Sequence, residues 1–150
     1  MLEERLEQDI KKALLAGDST TVSTLRQLKS VLLNVKVATG KRDSGLKDEE
    51  VIPLLVKECK KRQESADLYL IGGNKERADM ELNEKKVIEA YLPESKSEDE
   101  IVTIIDSVIS ETDNIVPKIL GQVIGKVKSI AGPTADGALI ARLVKEKLGI

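Results

Sequence analysis

Apolar residues recur along almost the whole chain at steps of three and four, and no stretch alternates with a period of two. A strand buries every second side chain and a helix every third or fourth, so the spacing predicts an all-α chain. Its packing must be aliphatic, because the 150 residues include two Tyr and no Phe or Trp. At 41% hydrophobic residues there is enough apolar material for a core, in one medium domain or two small ones.

The periodicity resolves into seven helices. The first spans Leu2 to Ala16, with Leu2, Leu6, Ile10, Ala13 and Leu14 on one face and Gly17 as its C-cap. Asp18 caps a second, whose stripe is Val22, Leu25, Leu28, Leu32 and Val35, and a loop follows from Gly40 to Gly45. A long third helix runs from Asp48 to Ile71, with Pro53 expected within its first turn or so, and stops at Gly72-Gly73. Asn74 caps the fourth, with Ala78, Leu82, Ile88, Tyr91 and Leu92 inward and Pro93 closing it. Beyond Pro93 the polar run Glu94 to Glu100 contains a capping box, Ser97 with Glu100, and opens a fifth helix on Ile101, Ile104, Ile105, Val108 and Ile109. The sixth carries Val116, Ile119, Leu120, Val123, Ile124 and Val127; after a Gly132-Pro133 turn the seventh carries Leu139, Ile140, Leu143, Val144 and Leu148. The expected architecture is an N-terminal four-helix bundle over 1–93 followed by a small three-helix C-terminal domain over 94–150.

Several functions are excluded by what is missing. With no His there is no Ser-His-Asp or Cys-His relay and no His-ligated zinc. The single Cys59 cannot form an internal disulfide or a thiolate cluster, and it falls near an apolar stripe, where it reads as a small buried hydrophobe. No glycine loop of Walker type occurs, aromatic stacking platforms for bases are lacking, and no cofactor is implied. No window reaches the roughly 20 apolar residues of a membrane span. The acidic, amphipathic start resembles neither a signal nor a transit peptide, so the expected location is cytoplasmic.

The formal net charge of −2 conceals an uneven distribution. Residues 1–93 carry 17 basic and 17 acidic side chains, residues 94–114 one against seven, and residues 115–150 six against two. The C-terminal segment is therefore a basic island that follows an acidic connector. Within it Gly121 and Gly125 sit four apart in a helix interior, where each costs about 1 kcal/mol relative to Ala. Two explanations fit: a neighbouring helix packs closely against them, or they leave a bare edge for a bulky ligand such as a nucleic-acid backbone. Lys126, Lys128, Arg142, Lys145 and Lys147 are the cations available to such a ligand, and the basic residues of this segment have room for roughly three to five phosphate contacts. Asp136 with Gly137 reads as a helix start rather than a catalytic pair. The run Lys57 to Ser65 reads as salt-bridged helix surface, or as a second nucleic-acid contact.

Taken in order, Ser23-Thr24-Leu25-Arg26, Lys61-Arg62-Gln63-Glu64-Ser65, Tyr91-Leu92-Pro93, Gly121-Gln122-Val123-Ile124-Gly125 and Ala135-Asp136-Gly137 with Leu139-Ile140 and Leu143-Val144 resemble the GatB/YqeY family over nearly the whole length. The C-terminal part is similar to the tail domain of GatB, the B subunit of the glutamine-dependent amidotransferase that acts on mischarged tRNA. One departure is Ile130 to Thr134, where similar tails usually carry basic residues and a glycine. The resemblance implies a tRNA or other structured-RNA partner, or docking onto an aminoacyl-tRNA synthetase or amidotransferase complex, and links the chain to carbon–nitrogen ligase activity with glutamine as amido donor. The chain itself lacks the amidase Ser-Lys signature and any His, so it is expected not to transfer nitrogen alone.

Overall fold

The computed structural model describes residues 1–113 and 117–150. Among these residues the chain is all-helical, with no strand: α1 (Leu2–Ala16), α2 (Ser19–Ala38), α3 (Asp48–Ile71), α4 (Lys75–Glu89), α5 (Glu98–Ser110), α6 (Leu120–Ala131) and α7 (Gly137–Leu148), plus a 3-10 turn at Pro117–Ile119. The chain divides into two compact units, Met1–Leu92 and Pro93–Ile150.

Local signals set most helix ends. Gly17 closes α1 in the left-handed region at φ 71°. Asp18 begins α2 by accepting the Thr21 N–H at 3.1 Å and its hydroxyl at 2.6 Å; these bonds hold the carboxyl below its ordinary pKa. Asn74 accepts the Arg77 N–H at 3.1 Å, Ser97 the Glu100 N–H at 3.2 Å, and Asp136 the Ala138 N–H at 2.9 Å. Asp136 is thus a cap.

Pro53 lies on an exposed position near the start of α3, where the helix start at Asp48 puts it. One detail differs from the sequence reading: the apolar stripe of the sixth segment does not start as one α-helix, because Ile119 belongs to the 3-10 turn and α6 begins at Leu120. Val116 lies outside the described residues.

In the first unit Leu6 and Ile10 of α1 meet Leu25, Leu28 and Leu32 of α2, Val51, Leu55 and Cys59 of α3, and Ile88 and Tyr91 at the end of α4. Polar clamps surround this core. The Tyr91 hydroxyl donates to Asp9, while the Arg5 guanidinium lies 4.5 Å from the ring centre and donates to the Ala90 carbonyl at 3.2 Å. Burial, with Asp9 adding to it, raises the phenol pKa. Glu3 pairs with Lys36 at 2.9 Å and accepts the Leu46 N–H at 3.1 Å, fastening the loop after α2 to α1. In that loop Gly45 has φ 75°, and a Cβ there would come 3.0 Å from Glu3 Oε2, so only glycine fits without a shift.

Arg62 of α3 reaches partners on both α2 and α4. It bonds Gln27 of α2 and lies 3.4 Å from Glu81 and 2.6 Å from Glu84 of α4, with all three charged side chains about four-fifths buried. The basic run of α3 therefore contains an inter-helix tie, which local pairing along one helix does not anticipate.

The second unit has its own core, built from Ile101, Ile105 and Val108 of α5, Val123, Val127 and Ala131 of α6, and Ile140, Leu143 and Val144 of α7. Ile105, Val127, Ile140 and Val144 are fully buried.

Candidate nucleic-acid interface

Burying Val123, Val127 and Ala131 fixes the rotation of α6. At 3.6 residues per turn, Gly121, Gly125 and Lys128 then fall together on the side away from this stripe. Both glycines are exposed, and a Cβ added to either would meet nothing within 4 Å. Close approach of another helix of this chain, one of the two explanations for the glycines, is thus not what the described residues contain. Gly125 and Lys128 line a shallow open hollow together with Ser129, Gly132 and Pro133. The Lys128 ammonium extends from there toward the start of α7, lying 3.7 Å from where a Cβ on Gly137 would sit.

The remaining cations are not gathered at this hollow. Lys126 is exposed, but two residues' separation turns it roughly 160° around the helix from Lys128. Arg142 pairs with Glu146 at 2.9 Å and with Glu98 of α5 at 3.6 Å, and Lys147 pairs with Asp106 of α5 at 3.1 Å. Lys145 is exposed. Among the described residues Lys126, Lys128 and Lys145 have no ion-pair partner. The basic island is thus partly neutralised by the acidic segment before it, through pairs that sequence order separates by up to 44 residues. Ser129 and the Gly132-Pro133 turn belong to the hollow without having been singled out for it; their one sequence signal was the turn itself.

Among the described residues no group of three His, Cys, Asp or Glu is placed to hold a metal ion, and no helix is long and apolar enough to cross a membrane. Cys59 is buried; desolvation, with Glu89 adding to it, pushes its pKa from 9.0 up to about 11. The thiolate population below pH 9 should therefore be roughly a hundredfold lower than that of an ordinary thiol. Alkylation by iodoacetamide at pH 8 is expected to be at least that much slower in the folded protein than in denaturant, and equal rates would place Cys59 at the surface. The same shift makes the fold pH-sensitive on the alkaline side. The thiol's contribution is complete below pH 9 and is lost as pH rises through about 11.

A family model described as Yqey-like protein matches residues 3–148. Two curated relatives carry the name "Altered inheritance of mitochondria protein 41, mitochondrial". The one from Eremothecium gossypii is 31% identical over 126 residues, covering 79% of this chain and 67% of its own length. The one from Kluyveromyces lactis is 28% identical over 126 residues, covering 81% of this chain and 66% of its own length. The chain thus spans about two thirds of these relatives. Their names contradict the expected cytoplasmic location: both relatives are mitochondrial proteins.

Proposed function

From the premise that the chain belongs to the Yqey-like protein family, we propose that it is a non-catalytic accessory protein that binds tRNA or another structured RNA. In this reading the first unit is a four-helix bundle and the second a three-helix domain akin to the GatB tail, working beside transamidation of mischarged tRNA, and the relatives' names suggest a mitochondrial setting. The observation that carries it is the uncovered edge of α6, where Gly121 and Gly125 leave the backbone bare beside the unpaired Lys128 ammonium. Among the described residues nothing packs against those two glycines to offset their helix-weakening cost, and a phosphate backbone approaching there gives them a use. Lys126 and Lys145 add charge on the flanks. Arg142 and Lys147 contribute only if phosphate displaces their carboxylate partners.

Lys126→Glu combined with Lys128→Glu should lower tRNA affinity at least about tenfold with helicity unchanged, Lys128→Glu carrying the larger share because it shares the glycine face. Unchanged affinity in the double variant rejects this site.

A second reading, docking onto a synthetase or amidotransferase complex, is favoured by Ile130, 57% exposed on the same helix. It predicts association that survives moderate salt and is blocked by Ile130→Asp, a change that its exposed position allows the fold to accept.

A further inference from the structure

The C-terminal end of α1 and the first half of α2 enclose an open groove of about 600 Å³ that no part of the proposed RNA contact uses. Its apolar side is formed by Ala13, Leu14 and Val22, with Leu14 half exposed and Leu15 beside it 90% exposed. Its polar side carries Ser19, Ser23 and Arg26 on consecutive turns of α2. Among the described residues Arg26 has no ion-pair partner. The carboxylate at the groove's end, Asp18, has both oxygens engaged by Thr21 and cannot serve it. Gln27, on the same wall, is held by Arg62 from α3, so this side of the groove is braced.

We infer that this groove is a docking site for an acidic amphipathic helix of a protein partner. A trough between two helices, open along its length, covers too little of a small molecule, which usually needs most of its surface enclosed, but it suits a helix laid along it. The partner sets an apolar side chain on Leu14 and Val22 and a carboxylate on Arg26, whose planar fork donates two bonds to it. Ser19 and Ser23 supply hydroxyls to the partner's polar flank. The inference stands apart from the RNA reading, because it uses other residues and a partner of other chemistry.

The test is an NMR titration of the full ¹⁵N-labelled chain with a Leu/Ala/Glu helical peptide of about 16 residues, long enough to hold a helix, having Leu at three–four spacing. The same peptide with every Glu→Lys and 5′-AMP serve as comparison ligands. Saturable shifts at the amides of Ala13, Val22 and Ser23 are expected with the acidic peptide only, weakened at least about tenfold by Arg26→Gln or by Leu14→Asp. Both residues are exposed, so the variants keep the fold, which the unperturbed remainder of the spectrum reports. Absence of groove shifts, an equal response to the Lys peptide, or indifference to Arg26→Gln overturns the inference. Comparable shifts with 5′-AMP overturn it too and assign the groove to nucleotides.

Discussion

Ile105→Ala is expected to cost about 3 to 4 kcal/mol, and to raise amide exchange throughout α5, α6 and α7. Ile105 is 0% exposed, in a cluster of nine buried residues that contains no aromatic side chain. Aliphatic side chains of this kind leave a cavity that their neighbours only partly refill, and a core built from three short helices has little stability in reserve. A loss of that size takes most of what a unit of this length ordinarily has. Ile105→Val should cost only about 1 kcal/mol, because the β-branch and most contacts remain. Equal, small losses for both substitutions would mean that the second unit is not held together by this cluster.

Arg62→Ala should destabilise the first unit by about 2 to 3 kcal/mol. Breaking a fully buried ion pair by removing one partner typically costs about 3 to 5 kcal/mol, and the side-chain exposures of 18 to 20% at Arg62, Glu81 and Glu84 reduce that. The loss arises because Glu81 and Glu84 remain close together without their cation, and because Gln27 loses the donor that ties α2 to α3. Arg62→Lys should rescue little: a single ammonium cannot reach three partners on two helices as the guanidinium fork does. Chemical denaturation of Arg62→Ala, Glu84→Gln and the double variant checks this, with a coupling of at least about 1 kcal/mol expected between the two sites. Additive effects below about 0.5 kcal/mol would return Arg62 to the class of solvated surface charge.

These two residues also mark what a single sequence can disclose. Ile105 was legible, because its helix repeats Ile and Val at three–four spacing and burial follows from that period. Helix ends were legible where a residue with special geometry sits, as at Gly17, Asp18, Asn74 and Ser97. Arg62 was not. On one helix it suggests pairing three or four positions away, whereas its partners are 35, 19 and 22 positions away on α2 and α4. The same reason hid the neutralisation of Arg142 and Lys147 by Glu98 and Asp106, since charge counted by segment says nothing about which segments become neighbours. The start of α6 was misjudged because apolar spacing does not distinguish a 3-10 turn from the first turn of an α-helix. Of the seven residues proposed for RNA contact, the fold groups Gly121, Gly125 and Lys128 on one face and sets Lys126 on another, a separation that follows from helical period once the buried face is known.

The central claim, that the glycine edge and its unpaired lysines meet a phosphate backbone, is tested most directly by titrating the full chain with tRNA at several salt concentrations in the presence and absence of a polyanion competitor. With Lys126, Lys128 and Lys145 as the proposed contact residues that have no ion-pair partner among the described residues, about three phosphate contacts predict that log affinity falls with log salt at a slope of roughly −2 to −3. A slope near zero, or no saturable binding at low salt, contradicts the claim and leaves docking onto a protein as the reading that the exposed edge of α6 supports.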